Sequence, residues 1–270
     1  MFNLMILVSS PEQAMIAQDA GVDRIFYDLE YINKAERQRG RNTVISNNDI
    51  AGIPAIRKVL NRSKLLVRTN PIHAYTKDEI EKAINYGADI LMLPMAVNAD
   101  QIREYVGYIA GRCKVCIMIE TAQALARIDE FLEIEGVDEF FIGLNDLHIS
   151  LGLDFMFELI SDGLVEYIAG KLNKAGKPWG FGGIARIGEG TLPAEKILAE
   201  HVRLNSSSVI LSRTFKGMLE RTDDITIANI GEEIDKLRNA YNQITDWDTT
   251  KFENNRNEIK TIVRQIVNHV

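Results

Sequence analysis

The sequence predicts one (β/α)₈ barrel, the TIM-barrel fold, followed by additional C-terminal helices. First, 270 residues of which 46% are hydrophobic can bury the core of one large α/β domain. Second, eight apolar runs typical of buried strands alternate with helical patterns. Third, several helical patterns end in the same way, with a glycine shortly before the next strand, as at residues 20–23, 86–89 and 135–138. Right-handed strand–helix–strand units repeated eight times close most economically as a barrel.

The predicted elements follow one another without a break in composition as far as Arg213. The strand-like runs are residues 4–9, 24–30, 64–70, 90–95, 115–120, 139–146, 179–184 and 208–213. The helical patterns between them are residues 11–20, 48–61, 77–86, 100–111, 123–133, 155–175 and 195–201. Residues 218–241 and 252–269 then form two charged, amphipathic helical patterns. We expect a barrel at residues 1–216 and a helical extension at 217–270, which either closes the barrel bottom or, as we favour, is exchanged or packed between subunits of a homo-oligomer.

Bulk composition excludes several classes of protein. A net charge of −7 and a pI near 5.3 argue against a nucleic-acid-binding surface, which needs a basic face. The N-terminal run lacks a basic leader and a cleavage site, and no stretch reaches the ~18 apolar residues of a membrane span. We therefore expect a cytoplasmic enzyme without a membrane partner. Cys113 and Cys116 form a C-x-x-C at the entry to a buried strand, where two small core residues are a better interpretation than a redox or zinc site.

Two carboxylates occupy equivalent places along the predicted barrel. Glu120 ends the fifth strand-like run and Asp146 ends the sixth, and neighbouring parallel strands lie roughly 5 Å apart. Both acids can therefore reach one hard cation, which fits Mg²⁺ (or Mn²⁺) held by one or two carboxylates with water and substrate oxygens completing its shell. The alternative is that both residues merely cap helices.

The remaining residues at the strand ends suggest carbanion chemistry. Arg68, a fixed planar cation, would face the oxygen of a carbonyl that becomes an enolate. Glu30 and Asp28 would orient Arg68 or bind the waters of the metal ion. Backbone N–H groups after Gly143, at Asn145 and Asp146, would accept a substrate carboxylate. A 2-oxo acid that chelates the metal ion fits this arrangement.

Four segments together resemble the HpcH/HpaI aldolase and citrate lyase beta-subunit family. They are VRTN at residues 67–70, GADILMLPMAVNADQI at 87–102, IMIET at 117–121 and IGLNDLHISLG at 142–152. The resemblance implies a (β/α)₈ barrel that uses a divalent ion to bind pyruvate, oxaloacetate or a related acid. By position it implies Glu120 and Asp146 as metal ligands and Arg68 as the enolate-stabilising residue, and residues 28–30 are similar to the DLE of the lyase branch.

The chain departs from the family at the proton-transfer pair. The aldolase branch has a histidine and an aspartate where this sequence has Tyr31 and Asn85, so the proton shuttle is expected at Glu30, Tyr31 or His73. The polar segment at residues 33–48, with Lys34, Arg37, Arg39 and Arg41, is either a lid that brings positive charge to an anionic substrate or a solvated loop. Glycines after the seventh strand suggest, weakly, a phosphate site.

The resulting prediction is a Mg²⁺-dependent carbon–carbon lyase of the aldolase type. Its substrate would be a small anionic 2-oxo acid such as pyruvate or oxaloacetate, with a sugar-like aldehyde as the acceptor. The first alternative is a CoA-thioester lyase of the citryl- or malyl-CoA type, or phosphoenolpyruvate-type transfer. The second is a barrel without turnover that serves as a binding protein, although retention of Glu120, Asp146 and Arg68 argues against it.

Overall fold

Eight parallel strands form the closed barrel that the sequence predicts. A computed structural model of the chain describes residues 2–37, 48–220 and 224–268, and its strands hydrogen-bond in sequence order around the closed barrel. The (β/α)₈ fold is thereby confirmed, and each predicted run overlaps one strand. The strands are β1 Asn3–Val8, β2 Arg24–Asp28, β3 Lys64–Arg68, β4 Ile90–Leu93, β5 Lys114–Ile119, β6 Glu139–Ile142, β7 Trp179–Ile184 and β8 Ser208–Leu211.

Helices cover the outside of this barrel. They are α1 Pro11–Asp19, α2 Lys34–Arg37, α3 Ile53–Val59 with a 3₁₀ turn at Ile50–Gly52 before it, α4 Thr76–Asn85, α5 Ala99–Ile109, α6 Ala122–Ala126, α7 Ile128–Leu132, α8 Leu144–Leu151, α9 Glu158–Ser161, α10 Leu164–Lys174, α11 Ala194–Arg203, α12 Arg213–Lys216, α13 Asp224–Thr245 and α14 Thr249–Val267. Two predicted helices are each split in two. Gly163 separates α9 from α10 because its φ of +86° is left-handed and cannot continue a helix. Arg127, between α6 and α7, has a non-helical φ of −112°.

The two C-terminal helices pack on the barrel of their own chain. α13 contacts α11 and α1, and α14 contacts α11 and α9. Their buried apolar residues include Ile230, Ile234 and Leu237 on α13 and Ile259 and Val263 on α14. α13 thus occupies the position of the helix that follows the eighth strand in a (β/α)₈ barrel, between α11 and α1. The boundary at residue 217 and the homo-oligomer stay predictions. Among the described residues, no helix has both the length and the apolar character needed to cross a bilayer.

The interior of the barrel has three layers. Apolar side chains, which include Phe26 on β2, Leu66 on β3 and Met118 on β5, fill the middle. Because alternate residues of a strand face the same way, the residues two positions further along these strands also point inward. Those residues are charged, and they lie at the C-terminal mouth of the barrel, where active sites of this fold are built. The third layer, at the N-terminal mouth, holds the ion pair between Arg24 and Glu139.

Both cysteines belong to the fold rather than to a reactive site. Cys116 is buried in the middle layer, and burial raises the pKa of its thiol well above the usual value. Cys113 is partly buried, and its surroundings raise its thiol pKa to about 11. A thiol with a raised pKa is a poor nucleophile and a poor metal ligand, which agrees with the interpretation of this C-x-x-C as two core residues.

Candidate active site

The centre of the C-terminal mouth is a fixed pair of charges on β2 and β3. Strand register makes Asp28 and Arg68 direct neighbours. Arg68 donates from Nε and Nη2 to the two carboxylate oxygens of Asp28, both at 2.8 Å. This bidentate pairing fixes the plane of the guanidinium group. Burial opposes charge on Asp28, but the cations of Arg68 and Lys34 outweigh it and hold the pKa of Asp28 well below its usual range. Asp28 is therefore an anchor for Arg68 and not a base.

Lys34 is part of this cluster, contrary to the suggested role in a lid. It is the first residue of α2, and its side chain is 3% exposed. Its Nζ lies 2.7 Å from Asp28 Oδ2 and 3.4 Å from Glu30 Oε2. Two buried carboxylates that share one arginine need a second cation, and Lys34 supplies it from four residues after Glu30. Of the other cations named for this segment, Arg37 is the last residue of α2, and Arg39 and Arg41 lie outside the described residues.

Glu120 follows β5 and is held by unusual backbone on both sides. The N–H of Met95 donates to Glu120 Oε1 at 2.8 Å, and Met95 has a φ of +54°, which is rare for a residue with a side chain. On the other side lies Gly143, where a Cβ atom would stand 2.5 Å from Glu120 Oε2. The absence of a side chain at residue 143 is therefore what makes room for the Glu120 carboxylate.

We predicted Asp146 at the end of a strand, but it lies in the first turn of a helix. β6 ends at Ile142 and α8 begins at Leu144. The negative charge of Asp146 nevertheless acts on Glu120. Burial first, and then the negative charges of Glu30 and Asp146, raise the pKa of Glu120 to about 8. Such a shift indicates carboxylates forced together in a site of low polarity.

The buried cluster contains more negative than positive groups. Its members are four carboxylates, Asp28, Glu30, Glu120 and Asp146, and two cationic groups, Arg68 and Lys34. With all six groups ionised, the cluster would carry a net charge of −2, which a divalent cation would neutralise. Oxygen donors suit Mg²⁺ or Mn²⁺. Within the described parts of the chain, no group of three or more His, Cys, Asp or Glu side chains could hold a metal ion. A metal ion at Glu120 and Asp146 would thus keep positions for water and substrate.

The structure brings some of the predicted catalytic residues together and separates others. Glu30 is buried and lies 3.4 Å from Arg68 Nη2, inside the cluster. Tyr31 points away, with 66% of its surface exposed. His73 is outside the cluster, with Nε2 3.2 Å from Glu79 Oε2 and Nδ1 accepting the N–H of Tyr75 at 3.3 Å. Both ring nitrogens of His73 therefore already have partners.

Glu79 and Asn70 were missed by sequence reasoning. Asn70 Nδ2 donates to Glu79 Oε1 at 2.8 Å, and Asn70 Oδ1 accepts the N–H of Tyr31 at 3.0 Å. The pair thereby fixes the chain after β2 to the chain after β3. The sequence offered one signal for Glu79, because it lies in the first turn of the helix that follows the third strand and His73.

The start of α8 is the place where we predicted a substrate carboxylate. The hydrogen-bond ladder of this helix begins with the N–H of Leu147, which donates to Gly143 O at 3.0 Å. The preceding N–H groups, including that of Asn145, point out of the helix start and can bind an anion. His148 has a packing role, since it is buried and its Nδ1 lies 3.1 Å from Leu144 O.

The glycine-rich segment after β7 is less suited to a phosphate. The N–H of Gly188 donates to Glu195 Oε1 at 2.7 Å, and Arg186 is paired with Glu189 at 2.5 Å. These carboxylates use the donors that a phosphate would need, and they would repel it.

Fold and site together define a class of protein: a (β/α)₈ barrel whose C-terminal mouth holds a carboxylate cluster around a fixed arginine. The family model for HpcH/HpaI aldolase/citrate lyase matches residues 2–180. The chain therefore belongs to the HpcH/HpaI aldolase/citrate lyase family, and the resemblance found in its sequence is confirmed.

Curated relatives include the 2-keto-3-deoxy-L-rhamnonate aldolases of Shigella dysenteriae serotype 1 and of Escherichia coli O17:K52:H18. Each is 26% identical to this chain over 141 residues, which cover 41% of this chain and 53% of the relative. The chain thus spans about half the length of the curated relatives that it matches.

Similar solved structures include an HpcH/HpaI aldolase from Desulfitobacterium hafniense DCB-2, with a TM-score of 0.58 and 16% identity over 78% of this chain and 86% of the other. Another is an HpcH/HpaI aldolase/citrate lyase family protein from Burkholderia cenocepacia J2315, with a TM-score of 0.61 and 16% identity over 87% of this chain and 94% of the other. At this identity the two structures support the fold.

Proposed function

We propose that the protein is a divalent-metal-dependent carbon–carbon lyase that acts through the enolate of a 2-oxo acid such as pyruvate or oxaloacetate. One observation carries the proposal: four buried carboxylates are gathered around an arginine whose orientation is fixed. Such charges are costly in a barrel core unless a bound cation and substrate use them. Family membership and the names of the curated relatives support lyase chemistry.

Glu120 and Asp146 would hold the metal ion, Mg²⁺ or Mn²⁺. When bound, the ion supplies Lewis acidity that polarises the keto group of the substrate. The N–H group of Asn145 at the start of α8 would orient the substrate carboxylate, whereas that of Gly143 already donates to Ile119 O at 3.1 Å. Because the metal ion needs no third protein carboxylate, the substrate itself can complete its coordination.

Arg68 would stabilise the negative charge that develops on the substrate oxygen. Its Nε and Nη2 are committed to Asp28, whereas its Nη1 has a weak contact with Met118 Sδ at 3.6 Å. Nη1 is thus the donor that can turn to a substrate oxygen. A positioned donor of this kind contributes most when it is held in place before the reaction, and Asp28 holds it.

Glu30 is the best-placed of the three groups predicted to move the proton. It lies inside the cluster beside Arg68 and Lys34, at 3.4 Å from each. Tyr31 is exposed, and both ring nitrogens of His73 have partners. Glu30 would therefore accept a proton from the carbon next to the keto group, and Lys34 would hold its carboxylate in position.

Loss of the methyl signal of pyruvate in D₂O, followed by proton NMR with Mg²⁺ or Mn²⁺, tests this function. We expect exchange that needs the metal ion and disappears in Glu120→Ala. The matched control is Asp100→Ala, an exposed carboxylate in the first turn of α5, which should exchange like the wild type. Absence of exchange with both pyruvate and oxaloacetate, in protein shown to bind Mn²⁺, would contradict the proposal and favour a thioester substrate or a binding protein.

A further inference from the structure

Three aspartates repeat one contact around the N-terminal rim of the barrel. Each lies directly before an even-numbered strand, and its carboxylate accepts a backbone N–H near the start of the preceding strand. The pairs are Asp23 with Leu4, Asp89 with Leu65 and Asp138 with Val115, at 2.7, 2.8 and 2.8 Å. The carboxylate thus takes the place of the carbonyl that a longer neighbouring strand would offer. The three aspartates end the glycine-containing segments at residues 20–23, 86–89 and 135–138.

Ser207 occupies the fourth equivalent position, directly before β8. Its N–H donates to Trp179 O at 2.7 Å, and its carbonyl accepts the N–H of Asn3 at 2.8 Å. Asp23 makes the same two backbone bonds to the strands on either side of it. The side chain differs, because Ser207 Oγ donates to Trp179 O at 2.9 Å and no side chain among the described residues accepts the N–H of Trp179. The fourth position therefore has the donor without the carboxylate.

A cavity of about 310 Å³ lies at this fourth position. Trp179 and Ser207 line it together with Lys177, Asn205 and Tyr241. The described residues of the lining include one ammonium group and no carboxylate. Lys177 donates one hydrogen bond to a backbone carbonyl at 2.6 Å, which leaves two of its three N–H groups for a ligand. The volume is at the lower end of the range for small-molecule sites.

Cations accompany the carboxylates elsewhere on the rim. Arg238 lies 2.9 Å from Asp23, and Arg57 lies 2.8 Å from Asp89. At the fourth position the cation, Lys177, is present on the cavity wall, whereas the anion is missing from the chain. An ammonium group and a backbone N–H that face one cavity form charge-assisted hydrogen bonds with an anion. A carboxylate is the group that this rim binds at its three other equivalent places.

We infer that this cavity binds a small carboxylic acid whose carboxylate takes the place of the missing fourth aspartate. The carboxylate accepts the N–H of Trp179 and pairs with Lys177, and the remainder of the acid lies against Asn205 and Tyr241. This site precedes β7 and β8, at the opposite end of the barrel from the carboxylate cluster. It is therefore independent of the proposed lyase function, and the test below needs no turnover.

Acetate is the appropriate probe because it carries the same carboxylate and carbon as an aspartate side chain. The ¹H–¹⁵N signal of the Trp179 backbone amide reports directly on the proposed hydrogen bond. We expect a saturable shift of this signal with a Kd of about 1–10 mM, as suits a ligand of so few atoms. Acetamide, which has the same shape without the charge, should cause no such shift. Absence of saturation with acetate, or an equal response to acetamide, would overturn the inference.

Ser207→Asp supplies the missing carboxylate from the chain itself. We expect this variant to shift the Trp179 amide signal without ligand and to lose the response to acetate. Ser207→Ala is the matched control, since it removes the hydroxyl group without filling the site, and it should still bind acetate. An acetate response in folded Ser207→Asp equal to that of the wild type would contradict the equivalence of the four positions.

A second pair of variants tests the charge of the site. Lys177→Met should weaken acetate binding about fivefold, since one partly buried ion pair is lost. Lys174→Met is the control, because Lys174 is an exposed lysine at the end of α10 that does not line the cavity. Equal affinity for acetate in these two variants would show that Lys177 does not bind the carboxylate and would overturn the site as assigned.

Discussion

The two mouths of the barrel both bury charged residues, but they differ in how the charges are matched. At the N-terminal mouth, Arg24 donates two hydrogen bonds to Glu139, at 2.6 and 2.9 Å, so one cation is paired with one anion. At the C-terminal mouth, four carboxylates share two cations. The same apolar layer separates the two sets. Burial of charge alone therefore does not distinguish the two mouths, whereas the ratio of carboxylates to cations does.

The match at the N-terminal mouth explains why sequence patterns gave no functional signal there. A buried pair with complete hydrogen bonding contributes little net stability, and two apolar residues could replace it. The C-terminal mouth cannot be simplified in this way without loss of the groups that would hold a cation and polarise a substrate. The following predictions use this difference, in order of expected effect.

The largest effect should come from neutralising one carboxylate at each mouth. Glu120→Gln should reduce metal-dependent exchange of pyruvate by about 10³-fold, since the proposed ligand of the metal ion would lose its charge. Glu139→Gln should leave the exchange rate of the folded protein within about threefold of the wild type. Similar losses in both variants, with both folded by circular dichroism, would show that the two mouths are not functionally different.

Removal of one partner of the N-terminal pair should mainly affect stability. Arg24→Met should lower the free energy of unfolding by about 3–5 kcal/mol, because Glu139 is then buried without a partner. The double variant Arg24→Met/Glu139→Met should recover most of this loss. Urea denaturation of the three proteins measures both changes. If the double variant is as unstable as Arg24→Met, the loss of stability does not come from an unpaired charge on Glu139.

The pH dependence of stability should include a contribution from His201, also at the N-terminal end of the barrel. Burial between Phe181 and Phe2 lowers the pKa of His201 to about 3 from 6.5, and its Nε2 has no hydrogen-bond partner among the described residues. The folded protein keeps this ring neutral, whereas the unfolded chain binds a proton below pH 6.5. Stability is therefore retained above that pH and lost as pH falls from 6.5 towards 3.

At pH 5 this linkage amounts to about 2 kcal/mol. We expect His201→Phe, which keeps a ring stacked on Phe181, to lose about 2 kcal/mol less free energy of unfolding than the wild type between pH 7 and pH 5. Urea denaturation at the two pH values measures the difference. An identical loss in both proteins would contradict a neutral buried His201.

The smallest expected effect tests whether Lys34 acts through its charge or by orienting neighbouring carboxylates at the C-terminal mouth. Lys34→Met increases the surplus of negative charge, so Mn²⁺ should bind about tenfold more tightly. Exchange of pyruvate at saturating Mn²⁺ should nevertheless fall by about 10- to 100-fold, since Glu30 and Asp28 lose the group that orients them. Weaker Mn²⁺ binding in Lys34→Met would indicate that the cluster has collapsed and that Lys34 is a purely structural residue.

Much of the fold and half of the site could be predicted from the sequence. Apolar runs and glycine punctuation identified all eight strands, and the position of Arg68 and Glu120 at the ends of strands placed them at one mouth. Lys34 could not be assigned in this way, since its spacing from Glu30 fits a helix surface as well as a buried contact. Asp146 was assigned to a strand end because residues 143–146 carry no signal that separates a strand end from a first helical turn.

Tertiary contacts decide the remaining cases. Nothing local to Arg24 or Glu139 reveals that they meet across the barrel, as they are 115 positions apart in the chain. The same applies to the backbone of Met95, whose left-handed conformation accompanies a hydrogen bond to Glu120. The predicted site residues themselves await the measurements described above.

The close approach of Gly143 to Glu120 limits how this barrel can be redesigned. A combinatorial library that varies residue 143 alone would consist mainly of proteins in which the Glu120 carboxylate has been displaced, because even an alanine would put a methyl carbon 2.5 Å from Oε2. Residues 120 and 143 therefore have to be varied together. New activities on this scaffold are more accessible through exposed residues of α4 such as Asp78 and Lys82, where side chains can change without moving Glu120.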